Sequence, residues 1–463
     1  MLSIKSITPK EIKELQRFRF ILFIPLFCIF LTANSQDNSP YSRYGIGNMV
    51  PSTNITSRGM GGLTAGYWDY YAVNMNNPAS YSSFRNALEK NKKKSAYGRI
   101  VMDLGMNFDS RTLKEKNNPL KFTTGNAFFS YMQMGIPIKK NWGISFGLRP
   151  ISRIGYKVSR NEMLIDPNTQ LPIDSTNTLF EGDGGVYLPS FGTGYKFNNF
   201  SVGFNVGYLF GKKNYSTRRG FYSDTIQYYQ SNHENKTTFG KMFFNAGMQY
   251  KIDLAKQVAL TLGAYGNLQQ KLKASQDIIR ETFVRDALQG DIRIDSVYEQ
   301  RNINGSITYP ASYGIGFMAE KIQEGKKSGW LLGMDFVHTS WDKYRFYGLK
   351  DSLNNSWEIR TGGQIQPAPQ KSYFSKISYQ AGFFFGQDNI KVNNKLPQYG
   401  VSFGMRLPVV NYNRLSLNQV TFLNLAFEYI KRGNNQNLLR ENLFRMSASF
   451  SLTDLWFNKR KYE

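Results

Sequence analysis

Among its 463 residues the chain has one cysteine, Cys28, and two histidines, His233 and His338. Cys28 lies inside an apolar run near the N-terminus, so the chain beyond that run has no thiol to form a disulfide or a thiolate metal site. With so little histidine, the Ser-His or Asp-His pairs of hydrolytic outer-membrane barrels have almost no place to form. His338 alternates with Trp330, Leu332, Met334 and Phe336 on an apolar face, and His233 stands alone in a polar stretch. Walker, Rossmann and zinc spacings are missing as well. The expectation is therefore no enzyme, no metal and no cofactor. Long hydrophobic runs are the third lack: beyond residue 33 no segment approaches the roughly 18 apolar residues of a membrane-spanning helix.

Positive charge and aromatic side chains are plentiful. The chain has 58 Lys and Arg against 33 Asp and Glu, a net charge of +25, and is 15 % aromatic. Without a long Lys/Arg stripe, this balance points away from nucleic acid and toward lipid headgroups or anionic solutes. Residues 1–19 hold five basic and two acidic side chains, residues 20–32 read FILFIPLFCIFLT, and Ala33-Asn34-Ser35 comes next. A basic region, a thirteen-residue apolar run and a small-x-small site form a secretory signal peptide, with the boundary after Ser35.

A mean hydropathy of −0.44 fits a soluble protein. It fits a transmembrane β-barrel equally well, because lumen-facing polar residues alternate with lipid-facing apolar ones. The alternation is plain in residues 444–452, where Phe444, Met446, Ala448, Phe450 and Leu452 oppose Arg445, Ser447, Ser449 and Ser451. It recurs at 201–210 and 400–407. Fourteen such runs can be read between residues 98 and 456, among them 122–138, 141–159, 200–216, 257–274, 328–346 and 417–431. Several are longer than the five or six residues usual in soluble strands and match the roughly 9 to 11 of a tilted membrane strand. Connections after even strands are short, such as Lys139-Lys140 and Asn198-Asn199, whereas those after odd strands include the polar stretches 160–183, 217–236 and 275–304. That asymmetry places the long loops outside the cell and both termini in the periplasm. Trp456 and Phe457 would close the last strand in an interfacial aromatic girdle.

The predicted fold is all-β, a transmembrane antiparallel barrel of about fourteen strands with a hatch in its lumen. Its parts are a signal peptide at 1–35, a hatch and linker at 36–97, the barrel at 98–457 and a periplasmic tail at 458–463. Residues 59–84, GMGGLTAGYWDYYAVNMNNPASYSSF, show no strand period and so suit a lumen filling rather than a wall, and the lysines at 90 and 92–94 read as a solvated linker.

Several motifs in order resemble the FadL-type outer-membrane transporters of hydrophobic compounds. They are Gly59-Met60-Gly61-Gly62, then Asn77-Pro78-Ala79, then Tyr309-Pro310-Ala311, then the stretch with Trp330, Asp335, Thr339 and Trp341. Tyr41-Ser42-Arg43-Tyr44-Gly45 departs from the better-known members and marks a divergent branch. The resemblance implies a hatch of Gly59, Gly61, Gly62, Asn77, Pro78 and Ala79, with Asn77-Pro78-Ala79 at its moving part. It also implies a kinked third strand through which substrate leaves sideways. Pro150, which lacks the N–H of a ladder, marks that opening in this chain. Arg149, Arg153 and Lys157 share the face opposite Ile154 and Tyr156 and are candidates for holding an anionic headgroup. The function expected is passive uptake of a hydrophobic or amphipathic small molecule by a monomeric barrel, in contact with outer-membrane lipid and lipopolysaccharide. The rival is a partner-binding barrel like the PorV-like component of the type IX secretion translocon, in contact with secretion-system proteins.

Overall fold

The computed structural model describes residues 39–84, 86–88, 95–222, 228–286, 288, 290–323, 325, 327–370, 372–409 and 420–456. The expected signal peptide at 1–35, the lysines at 90 and 92–94, Phe457 and the tail at 458–463 lie outside the described residues.

Fourteen antiparallel strands close into one barrel. They are β1 (Ser95–Glu115), β2 (Lys121–Lys139), β3 (Trp142–Ile165), β4 (Pro172–Phe197), β5 (Phe200–Tyr222) and β6 (Gln230–Ala255). Next come β7 (Val258–Asn267, resuming as Gln270–Asp286) and β8 (Gly290–Tyr309, resuming as Ser312–Lys321). The ring is completed by β9 (Gly329–Thr339), β10 (Ser356–Gln366), β11 (Ser378–Val392), β12 (Asn394–Val409), β13 (Val420–Arg432) and β14 (Leu439–Trp456). β14 pairs with β1 over its whole length, from Leu439 opposite Glu115 to Trp456 opposite Gly98.

Burial shows which side meets lipid. In β14 the outward Phe450 is 50 % exposed while the inward Ser447 is 0 % exposed, the inverse of a soluble core. Exposed apolar side chains such as Phe204, Phe244, Leu262, Phe317 and Phe403 continue this belt around the ring. Large exposed apolar surface on that scale is stable only against lipid. At the short-turn end Trp142 pairs across from Tyr195, and Phe200 lies between Phe197 and Tyr250, forming an aromatic girdle.

The structure corrects three expectations. The stretches 160–183, 217–236 and 275–304 are for the most part not loops: β3 to β8 run on as long hairpins, with turns confined to short tips. Residues 291–301 are exposed on both faces, and elsewhere the buried face is itself largely polar, as at Thr176, Thr178 and Asn232, so apolar alternation is not enforced. Secondly, the ninth strand stops at Thr339 rather than 346, because Trp341–Lys343 turns inward as a 3-10 helix. Trp341 and Tyr344 then join Tyr41, Ile46, Leu353 and Ile390 in a buried apolar cluster inside the ring.

The third correction concerns β3. Pro150 pairs with Tyr187 and Ser152 with Val186, so Ile151 is an extra residue in a bulge. A bulge of one residue exchanges the faces of everything beyond it. Phe146 faces out, whereas Ile154 and Tyr156 are buried; Arg149 faces in, and Arg153 and Lys157 leave its face.

Candidate functional site

Residues 39–84 thread through the ring and touch nearly every strand. Their short elements are locally encoded. Asn54 caps the helix Ile55–Arg58 by accepting the Ser57 N–H at 2.8 Å, and Asn77 caps the 3-10 helix Pro78–Ser83 by accepting the Ala79 N–H at 3.2 Å. Pro78, at the first helical position, has no N–H to lose. After the first helix Gly61 and Gly62 take φ of +71° and +86°, which a side chain would strain.

The barrel wall is cut to receive this segment. A Cβ on Gly263 would stand 1.8 Å from the Ala65 carbonyl oxygen, one on Gly203 2.4 Å from the Pro78 oxygen, and one on Gly382 2.0 Å from the Gly61 nitrogen. Gly143, Gly247 and Gly362 are closed off in the same way by Tyr81, Asn77 and Met60. Conversely Gly59 meets Gln380 and Gly404, and Gly61 meets the Thr361 carbonyl. Backbone approaches backbone across the lumen without room for a methyl group.

Charged and polar groups then pin the segment. Asp335 accepts the backbone N–H groups of Thr64 and Ala65, the latter at 2.8 Å. Arg406 pairs with Asp69 at 2.6 Å and donates to Thr56 at 3.0 Å. Arg58, 1 % exposed, donates to Asn107 at 2.6 Å, Ser447 at 3.0 Å and the Thr53 carbonyl at 2.9 Å. Asn77 is fully buried and donates to the carbonyls of Ala65 and Met248. Asn77-Pro78-Ala79 is thus among the most firmly held parts of the segment.

Between residues 48–62 and the inner cluster lies a cavity of about 350 Å³. Its wall is ion-paired: Arg432 with Asp388 at 2.7 Å and Glu441 at 3.0 Å, Arg111 with Glu441 at 2.7 Å, and Arg360 with Glu358 at 2.5 Å. Arg149 reaches this space too, held by the Ser52 carbonyl at 2.9 Å and Asn76 Oδ1 at 2.7 Å. An apolar molecule crossing here would displace water from these charges and offer no hydrogen bond in return, which disfavours its passage.

The wall itself is discontinuous at one seam. β2 and β3 pair from Lys139 opposite Trp142 only as far as Met132 opposite Leu148. Beyond that rung β3 stays paired with β4 to Ile165 and β2 with β1 to Lys121, but the two facing edges separate. Both strands bulge at this level, Ser130 being the extra residue in β2 and Ile151 in β3. The freed edge of β3 is taken from inside by a two-residue strand, Asn48–Met49, opposite Arg153 and Ser152. Ser152 Oγ also donates to the Ile46 carbonyl at 2.6 Å. Across the seam the Arg153 guanidinium lies over the Phe128 ring, 4.4 Å from its centroid. Lys157, further out, pairs with Glu181 at 2.8 Å.

Arg149, Arg153 and Lys157 are therefore three separate sites. Sequence reasoning missed the inner strand Asn48–Met49, which is too short to show a period, and the pinning roles of Arg58 and Arg406, whose partners include Ser447 and Asp69, 389 and 337 residues away. The inward glycines did carry a signal, since Gly203, Gly263 and Gly404 recur on the polar parity of their strands. Among the described residues no group of three or more His, Cys, Asp and Glu is placed to hold a metal ion.

A family model described as BamG matches residues 12–463. No curated protein matches the chain. Among solved structures, a Pseudomonas aeruginosa FadL homologue is 14 % identical over 88 % of this chain and 99 % of that one, with a TM-score of 0.50. The CymD monoaromatic hydrocarbon channel is 12 % identical over 88 % and 98 %, with a TM-score of 0.49. The Ralstonia pickettii toluene transporter TbuX is 12 % identical over 89 % and 99 %, with a TM-score of 0.48. The FadL homologue shows that the fold is FadL-type.

Proposed function

The chain belongs to the BamG family, and with a FadL-type barrel as its frame we propose that it admits hydrophobic or amphipathic small molecules across the outer membrane and releases them sideways between β2 and β3. The observation that carries this reading is the ladder that stops at Met132 opposite Leu148 while β3 continues to Ile165. Open strand edges at membrane depth are costly and persist only where protein covers them. Here the cover is the inner strand Asn48–Met49, held by the Val50 N–H on the Ile151 carbonyl at 3.0 Å, Ser152 Oγ on the Ile46 carbonyl at 2.6 Å and Arg432 on Asn48 Oδ1 at 3.1 Å, bonds it gives up if it moves aside. The ion-paired lumen disfavours a straight route for an apolar molecule, and the charge beside the seam in that same cavity, Arg149, is already held by the Ser52 carbonyl and Asn76.

In this reading the part of the hatch that shifts is the stretch 48–53, with Asn77-Pro78-Ala79 as its anchor. Gly59, Gly61 and Gly62 let the segment lie against β10 to β12 while that stretch moves. Of the three cations, Arg153 stands at the seam and has an Nη1 without a hydrogen-bond partner, so it is the one to meet an anionic headgroup in passing. The short-turn end faces the periplasm and the long hairpins face outward.

A barrel carrying Phe128→Cys and Arg153→Cys tests this. Linking the two thiols with a reducible bis-methanethiosulfonate reagent, which spans more than a direct disulfide can, should staple the seam. Entry of radiolabelled toluene and of a long-chain carboxylic acid across a lipopolysaccharide-faced outer membrane, which resists them by itself, should then fall at least tenfold, returning on reduction. Equal uptake with the seam stapled would overturn lateral exit. Loss of uptake in neither state, because there is none to lose, would overturn transport itself and favour a partner-binding barrel.

A further inference from the structure

A second cavity, of about 310 Å³, opens at the short-turn end of the barrel. Its floor is the N-terminal segment, through Trp68, Tyr70 and Phe84; its rim is the turn after β2 and the ends of β4, β6 and β7. Lys140, Lys196 and Lys251 line it, and no Asp or Glu does. Lys251 lies 5.1 Å from the Trp68 ring centroid and 3.4 Å from Glu320. Lys140 and Lys196 have no ion pair among the described residues.

The rim is fixed before anything binds. Asn141 and Asn198 turn the chain with φ of 69° and 51°, Lys196 N–H donates to the Asn141 carbonyl, and Lys251 N–H donates to the Asn199 carbonyl, each at 2.9 Å. Gln249 ties the wall to the floor through the carbonyls of Ala65 and Tyr67. The neighbouring turns add Lys139, Lys256, Lys321 and Lys327 against Asp253 and Glu320, so the cations outnumber the acids and the field over this mouth is positive.

We propose that this mouth is a docking pocket for an acidic segment of another protein, with carboxylates on Lys140, Lys196 and Lys251 and one apolar side chain on Trp68 and Phe84. Charge complementarity selects the acidic partner. Position selects a peptide over a lipid: Ser201, Gln249 and Thr261 are buried inward-facing residues, and the aromatic girdle of Trp142, Tyr195 and Phe200 sits on the opposite side of the same wall. The pocket thus faces the aqueous mouth and not the bilayer. Aromatic pockets within a polar rim are where interfaces place their anchors.

The test is fluorescence anisotropy at low salt, titrating the detergent-purified full chain into a fluorescein-labelled peptide of six glutamates around one phenylalanine. Binding is expected, and Lys140→Gln with Lys196→Gln should weaken it about tenfold or more. Replacing the peptide's phenylalanine by serine should weaken it as well. Lys212→Gln with Lys236→Gln, two exposed positions on the long hairpins, should leave it unchanged. Absence of binding, or an equal loss from the Lys212 and Lys236 pair, would overturn the pocket in favour of diffuse attraction. Competition by phosphatidylglycerol vesicles as strong as by unlabelled peptide would overturn the choice of a protein partner. Heat-modifiable migration on gels verifies that each variant is folded, and since both lysines are partly or fully exposed, folding is expected to survive.

Discussion

The Asp335 carboxylate accepts the backbone N–H of Ala65 at 2.8 Å, joining a strand in the middle of the sequence to a lumenal segment 270 residues before it. The same oxygen takes the Thr64 N–H and hydroxyl, so one buried carboxylate satisfies three donors that have no water to turn to. Asp335→Ala orphans the two backbone donors, while the Thr64 hydroxyl keeps the Tyr265 hydroxyl at 2.9 Å. The expected cost is about 1–3 kcal/mol, borne by the segment and not the barrel. Hydrogen exchange should therefore accelerate across residues 60–80 while the heat-modifiable shift of the barrel on gels stays in place. Unchanged exchange would mean that Asp335 does not hold the segment.

Gly263 makes a second test, because its neighbour is backbone and cannot rotate away. A methyl group there would overlap the Ala65 carbonyl, whereas a Cβ on Gly125 has its nearest neighbour at 3.9 Å. Gly263→Ala should displace the segment and cost about 1–3 kcal/mol through overpacking. Gly125→Ala should be neutral or slightly stabilising, since glycine is the poorer strand residue. Limited proteolysis of both variants separates the two: new cleavage within residues 39–84 is expected only for the first.

On the hairpin of β7 and β8, Glu299 lies between Arg293 at 2.7 Å and Arg301 at 2.5 Å. Hydrogen bonds from Arg293 first and Arg301 second hold its carboxyl down to about 2. A depressed value means the ionised form is favoured by folding, so this contribution is present above the unfolded value of roughly 4.3. It is lost as pH falls through about 2. Carbon-13 titration of labelled carboxyls should place the Glu299 midpoint near 2 and move it upward in Arg293→Gln. A midpoint already at roughly 4 in the parent chain would show that solvent breaks the pair.

The wall of this molecule is legible in the sequence and much of its filling is not. Period-two alternation in residues 444–452 needs only neighbours along one strand, so β14 and thirteen more can be read close to their observed places. The hairpins at 160–183, 217–236 and 275–304 look like loops in sequence because their strands are either wetted on both faces, as at 291–301, or buried through polar residues such as Thr176, Thr178 and Asn232, and so carry no apolar period. Pro150 gives away the break in β3, yet the extra residue is Ile151. That single shift sends Arg153 and Lys157 away from Arg149. The pairs that hold the lumen, such as Arg58 with Asn107 or Arg406 with Asp69, depend on ring closure and leave no local trace.

Arg406 and Asp69 offer the strongest test of how firmly the lumen is held. The pair is buried on both sides, at 8 % and 11 % side-chain exposure, and each partner has further work: Arg406 donates to Asn424 at 3.1 Å and Thr56 at 3.0 Å, and Asp69 accepts from the Tyr67 hydroxyl and the Tyr71 N–H, both at 2.8 Å. Removing one charge strands the other away from water, which costs about 3–5 kcal/mol, whereas replacing both leaves neutral groups that can still hydrogen-bond. Arg406→Gln and Asp69→Asn should each loosen residues 54–72 in hydrogen exchange. The double variant should be milder than the sum of the two, with a coupling of about 1–3 kcal/mol. Additive effects would mean that the two side chains act independently and that this part of the segment is held by Gln249, Asp335 and packing on the inward glycines instead.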